Sequence, residues 1–185
     1  MTPWSLPQTA VIGGTKYKLN TDYRDILEII GHLNDLENPE WLRWQIAVAL
    51  FYECVDFPEE HLQEAMEYLS EFISCGDSST TPAPKLLDWE QDAQIIVSDI
   101  NKVAGREIRA LPYLHWWTFL SYFYGIGEGQ LSTVVSIRDK LRRGKKLEKW
   151  EQEYYRENKS RVDMKKRYTP EELAEQERLK KLLGE

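Results

Sequence analysis

The chain has 185 residues, 42% of them hydrophobic and 12% aromatic, enough to bury one fair-sized core, so one domain, or one domain with a tail, is expected. A formal charge of −7 argues against wholesale affinity for nucleic acid or anionic membranes, yet the average hides a division. Residues 1–104 hold six basic and eighteen acidic residues, a balance of −12, whereas residues 105–185 hold eighteen and thirteen, a balance of +5.

Two cysteines, Cys54 and Cys75, have no C-x-x-C spacing and cannot build a disulfide framework, which fits a reducing cytoplasm. The start, Met1 to Gln8, lacks a basic segment leading into an apolar run, and nowhere do about 18 apolar residues follow one another. A cytoplasmic protein with no membrane partner is expected.

In chain order, Ala10 to Leu19 holds two short β-prone runs around Gly13-Gly14, a hairpin signal because glycine tolerates the φ > 0 of tight turns. Asn20 or Thr21 can then cap a helix carrying Tyr23, Ile26, Leu27, Ile30 and Leu33 at spacings of three and four. A second helix after Pro39, through Trp41, Trp44, Ile46, Val48, Leu50 and Phe51, is apolar on more than one side and is expected at the centre of the core. Pro58 and Gly76 bracket a third, with Leu62, Met66, Leu69 and Ile73 on one face. The turn-forming stretch Cys75 to Pro84 is expected to be an exposed loop.

Asp88 and Gln91 resemble a capping pair, and Trp89, Ala93, Ile96, Ile100 and Val103 mark a helix ending near Gly105. Pro112 opens an aromatic helix that stops at Gly125. A helix from about Leu131 to Arg143 and another after Gly144 follow. Thr169-Pro170-Glu171-Glu172 places a cap, a first-turn proline and a reciprocal glutamate before a last helix with a thin stripe of Leu173, Leu179, Leu182 and Leu183. A helix with so thin a stripe is expected to need a partner. The fold class is mainly α: a multi-helix bundle with a short N-terminal β-hairpin and an extended basic C-terminal helical arm. Its expected organisation is an acidic part over 1–75, a linker over 76–87, an aromatic and basic part over 88–160 packed with the first, and a charged tail over 161–185.

No catalytic constellation is visible, so no enzymatic activity and no cofactor are expected. His32, His61 and His115 fall in different predicted elements without an HExxH or Glu-x-x-His pattern, so no metal is expected. His115 reads as a packed or capping residue. Gly125-Ile126-Gly127-Glu128-Gly129 follows a helix rather than a strand and lacks the Lys-Ser/Thr of a phosphate loop, so it reads as a helix-to-helix turn. The glutamates 59, 60, 64, 67 and 71 recur at helical spacing and read as a solvated face.

What remains is Pro112 to Tyr124, in which eight of thirteen residues are aromatic, His115 included. Trp116, Phe119, Leu120 and Phe123 can fill the core, which would leave Tyr113, Trp117 and Tyr124 near the surface as interface anchors. After it, Arg138 to Arg167 carries thirteen basic and six acidic residues, densest at Arg142-Arg143-Gly144-Lys145-Lys146 and interleaved with Trp150, Tyr154 and Tyr155. Three readings stand for this tract: phosphate and base contacts to nucleic acid, a solvated face with local ion pairs, or docking onto an acidic protein surface.

The run His115-Trp116-Trp117-x-Phe119, a glycine-containing turn, Ile137-Arg138-x-Lys140, and Lys145-Lys146-Leu147 through Glu153-Tyr154-Tyr155-Arg156-Glu157-Asn158-Lys159 resembles the "gene product fifteen" family of tailed bacteriophages and prophages, from about Ile12 to about Arg167. The resemblance implies a role in long-tail morphogenesis, as a chaperone or assembly factor for the tape-measure protein in the host bacterial cytoplasm. It brings no enzymatic residues. The expected partner contacts are Tyr113, Trp117, Tyr124, Arg138, Lys140, Arg142, Arg143, Lys145 and Lys146. The expected partners are the tape-measure protein or other tail-assembly proteins, with a homo-oligomer also open because the acidic front and basic back complement each other. Nucleic-acid binding and a structural place in the virion are the competing readings.

Overall fold

The structure, a computed structural model, describes residues 4–54, 57–76, 84–166 and 168–183. It is mainly helical, with an antiparallel hairpin near the N-terminus. Residue contacts gather into two units, one formed by 1–77 with 166–185 and the other by 78–165. Most of the stretch expected as a loop, residues 77–83, lies outside the described residues.

In the first unit, β1 (Thr9–Ile12) pairs with β2 (Thr15–Lys18), Ile12 opposite Thr15. Gly13 and Gly14 make the turn at φ of 55° and 78°, values that side chains with a Cβ tolerate poorly. The turn is also held from outside, because the Gly13 N–H donates to Glu64 at 3.0 Å. The helix α1 (Tyr23–Leu33) begins one or two residues later than the sequence suggested: Asp22 is its cap, accepting the Arg24 N–H at 3.0 Å. Asn20 instead donates its side-chain amide to the Leu50 carbonyl at 2.7 Å and its backbone N–H to the Phe51 carbonyl. It therefore serves the last turn of α2 (Glu40–Phe51), whose carbonyls have no helical partners.

Ala47, Val48 and Phe51 form the buried face of α2, while Trp41, expected in the core, is 63% exposed. Trp41 sits in the first turn, one residue after Glu40, away from the buried C-terminal half. A single turn of 3₁₀ helix at Glu59–His61 leads into α3 (Leu62–Ile73). Its buried line is Ala65, Leu69 and Phe72, one step round from the predicted line of Leu62, Met66, Leu69 and Ile73. Phe51 packs against Phe72 and Tyr52 at ring separations of 5.0 and 4.9 Å, and the Tyr52 hydroxyl donates to the Ala65 carbonyl. These aromatic contacts join α2 to α3.

In the second unit, α4 (Ala93–Ala104) ends at Gly105 with φ 66°, as the sequence indicated. Ahead of it, Asp88 accepts the N–H groups of Glu90 and Gln91, and the Gln91 side chain reaches away to residues 161–165 rather than back to the cap. Helix α5 (Trp116–Tyr124) is followed by the turn through Gly125–Gly129 and by α6 (Gln130–Arg142). Gly129 is required by a close approach: a Cβ there would lie 2.6 Å from a carboxylate oxygen of Asp99. That oxygen accepts the Leu131 N–H at 2.9 Å, so buried Asp99 on α4 holds the start of α6. Helices α7 (Lys149–Glu157) and α8 (Lys159–Val162) complete the unit.

The terminal α9 (Pro170–Leu183) is capped as expected, with Thr169 and Glu172 exchanging hydrogen bonds at 2.8 and 3.2 Å. The side chains of Leu182 and Leu183 lie outside the described residues. Among the described residues no helix is long and apolar enough to cross a membrane.

Candidate functional site

The aromatic helix starts later than Pro112. His115 has extended backbone, and its Nδ1 accepts the Trp117 N–H at 3.1 Å, so the helix begins after it. This fixes His115 as a cap whose Nδ1 carries no proton, a use worth about 1 kcal/mol at an ordinary cap. Trp116 stacks on Phe119 with rings 5.4 Å apart, and Trp89 packs against Trp116, Phe119 and Phe123. The predicted core face is therefore present.

The predicted outer face is only partly so. Tyr113 and Tyr124 are exposed, Tyr124 at 72%, but Trp117 is 5% exposed. On a wheel of 100° per residue the buried arc runs from Phe119 through Trp116 and Leu120 to Trp117, wider than one narrow face. Trp117 belongs to the covered arc, contrary to its expected surface position.

Arg138 departs furthest from expectation. It is expected to face solvent, but its side chain is 3% exposed and lies against Asp92, which is fully covered. Both guanidinium ends donate to the Asp92 carboxylate, at 2.6 and 2.9 Å. The remaining N–H groups donate to the carbonyls of Leu86, Arg161 and Val162. All five donors of the fork are used, the condition under which a buried charge pair is tolerated. Three separate segments, 86–92, α6 and 161–162, meet on this one side chain.

The next cations along α6 are partly engaged. Lys140 reaches buried Glu151 on α7 at 2.6 Å, and Glu151 also accepts the Glu148 N–H at 2.8 Å. The Lys140 hydrogen bond, and then that backbone N–H, hold the Glu151 carboxyl below its ordinary value. Arg142 and Arg143 both reach Asp139, at 2.9 Å each, and the Arg142 hydrogen bond is the main cause of the lowered Asp139 pKa. Lys145 and Lys146 are exposed in the connection to α7, with no ion-pair partner among the described residues. Trp150 follows at 53% exposure, its indole N–H donating to Glu148 at 3.1 Å.

Of the nine residues singled out in the sequence, the structure places Tyr113, Tyr124, Arg142, Arg143, Lys145 and Lys146 at the surface. Trp117 and Arg138 lie inside, and Lys140 is tied to α7. Trp150, noted only as part of the arm, joins the exposed set. Among the described residues no group of three or more His, Cys, Asp or Glu side chains gathers as a metal site.

The family described as "Bacteriophage Gp15 protein" matches residues 5–164. The chain belongs to this family. It is thus a bacteriophage protein, and the match spans both helical units while ending before α9. No curated protein and no solved structure matched the chain. The residues that carried the family resemblance now have structural tasks: His115 caps, Trp116, Trp117 and Phe119 fill the interior, and Arg138 ties three segments together. Asp92, which completes the Arg138 fastening, and Asp99 were missed in the sequence. Glu151 was read as one of the glutamates 148, 151, 153 and 157 making local ion pairs on an exposed helix, whereas it is buried and paired with Lys140. Arg138 and Asp92 stand 46 residues apart, and no local spacing announces such a pair.

Proposed function

We propose that this bacteriophage protein is a tail-assembly factor that binds the tape-measure protein before the tail tube forms around it, acting by binding alone, without catalysis or cofactor, in the host cytoplasm. The observation that carries this reading is the family match over 5–164. Several surface features support it. A tape-measure protein is long and helical, and a protein that holds it needs exposed rings for apolar segments and charge for orientation. Tyr124 and Trp150 supply rings, and Arg142, Arg143, Lys145 and Lys146 supply cations. Trp117 and Arg138 drop out of the contact set because they are buried.

Co-expression with the tape-measure protein tests the proposal. The expected result is a recoverable complex and more soluble tape-measure protein. Lys145→Glu with Lys146→Glu, or Tyr124→Ala with Trp150→Ala, should weaken capture about tenfold or more while thermal melting of the free protein stays unchanged. No complex and no change in solubility would reject it. Binding to DNA or RNA that falls steeply with salt, in place of the tape-measure protein, would favour the nucleic-acid reading. Persistence of the protein in purified particles would favour a structural place in the virion.

A further inference from the structure

Between α6 and α7 the chain turns through residues 143–148, and the turn is closed tightly. The Lys145 N–H donates to the Lys140 carbonyl at 2.8 Å, and the Lys140 ammonium reaches Glu151 in the first turn of α7 at 2.6 Å. Of residues 141–150 only Leu147 is buried. The corner therefore presents Arg142, Arg143, Lys145, Lys146 and Lys149 to solvent, with Leu141 before them at 39% exposure and Trp150 after them at 53%.

The carboxylates nearby do not balance these cations. Asp139 serves Arg142 and Arg143 at once, and Glu148 accepts the Trp150 indole N–H at 3.1 Å. Lys145, Lys146 and Lys149 have no ion-pair partner among the described residues. Local pairing thus accounts for the two arginines alone. Five exposed cations against Asp139 and Glu148 leave the corner at +3.

The surroundings of Trp150 decide which kind of anion fits. A nucleobase stacked on a ring brings its phosphates alongside. Here Glu148 sits on the indole edge, and exposed Glu153 follows one helical turn along α7. The chain as a whole carries −7, a field that a long polyanion meets in full, whereas a short acidic segment meets mainly the corner. A protein segment also brings apolar side chains, which suit Leu141 and Trp150 on either side of the cations.

We propose that the corner between α6 and α7 binds an acidic stretch of the tape-measure protein, with its carboxylates on the five cations and an apolar side chain on Trp150. This rests on the tape-measure reading and adds the chemistry of the segment held. The guanidinium forks can each take both oxygens of a carboxylate, while the lysines act as mobile point charges. Charge sets approach and orientation, and Trp150 adds contact area.

Binding of the full chain to the intact tape-measure protein, and to overlapping peptides that tile it, tests the proposal. The peptides captured should be net acidic with apolar residues among the acids, and capture should weaken about tenfold from low to high salt. Lys145→Glu with Lys146→Glu should lower affinity about tenfold or more. Changing the acidic residues of a captured peptide to lysine should restore binding to that variant, a recovery that a misfolded corner would not give. Trp150→Ala should weaken capture by a similar factor and leave the salt dependence unchanged. The proposal is overturned if the captured peptides are neutral or basic, if the charge exchange restores nothing, if Trp150→Ala binds as the unaltered chain does, or if a single-stranded oligonucleotide binds more tightly than every peptide. A complex with the intact protein but with no acidic peptide also overturns it, and leaves the tape-measure reading standing. Failure to capture the intact protein or any peptide rejects both.

Discussion

At the scale of single residues, Arg138 decides more than any exposed cation around it. Its fork meets five acceptors on Asp92, Leu86, Arg161 and Val162. A lysine ammonium has three donors and no planar fork, so it cannot reproduce that pattern. Arg138→Lys keeps the positive charge but offers three donors to five acceptors, and is expected to destabilise the protein by about 1–3 kcal/mol for each buried acceptor left without a donor. Urea denaturation measures this, with Lys146→Ala as a surface control expected within about 0.5 kcal/mol of wild type. An Arg138→Lys protein as stable as that control would contradict the assigned role. The sequence misplaced Arg138 for a physical reason. It stands among cations that do face water, and burial is decided by Asp92, brought near only when the chain folds. Trp117 was misplaced on related grounds, because the width of a helix's covered arc depends on what packs against it. The capping role of His115 was legible, since it is set within three residues.

Among the elements, what could be read beforehand divides in the same way. The hairpin, the Gly105 stop and the Thr169–Glu172 cap are local patterns, and each is found where the sequence put it. Asn20 and Gln91 are capable of capping too, but they bind the Leu50 carbonyl and residues 161–165 instead. Where several capping residues stand close together, distant backbone chooses among them. The link between α6 and α7 through Lys140 and Glu151 is also distant, and it makes a prediction about acid. The Glu151 carboxyl is held below its ordinary 4.5, so the folded state binds its proton less readily than the unfolded state. Its contribution is complete above that ordinary value and is lost as pH falls through the lowered one. Glu151→Gln should therefore lower the melting temperature near pH 7, while the gap from wild type should narrow progressively as pH falls below the ordinary 4.5. A gap that keeps its size as the pH falls would show that Glu151 acts by packing alone.

For the whole molecule, the division of charge seen along the sequence follows the two units. The unit of 1–77 and 166–185 has nine basic and nineteen acidic residues, −10, and the unit of 78–165 has fifteen and twelve, +3. Each has polar fastenings of its own: Asn20 on α2 and Tyr52 on α3 in the first, Arg138–Asp92, Asp99 and Glu151 in the second. Because the second set closes entirely within 78–165, damage to it should be felt there first. Hydrogen exchange of the Arg138→Lys protein is expected to show lost amide protection across α4 to α8, residues 93–162. Amides of α1 to α3, residues 23–73, should keep theirs, since neither their aromatic packing nor their hydrogen bonds use Arg138. Equal loss in both ranges would mean that the chain opens as a single cooperative body. The expected pattern would carry over to binding: Lys145 and Lys146 lie in the same unit as Arg138, so its opening would remove the cationic surface assigned to the partner while leaving the acidic unit folded.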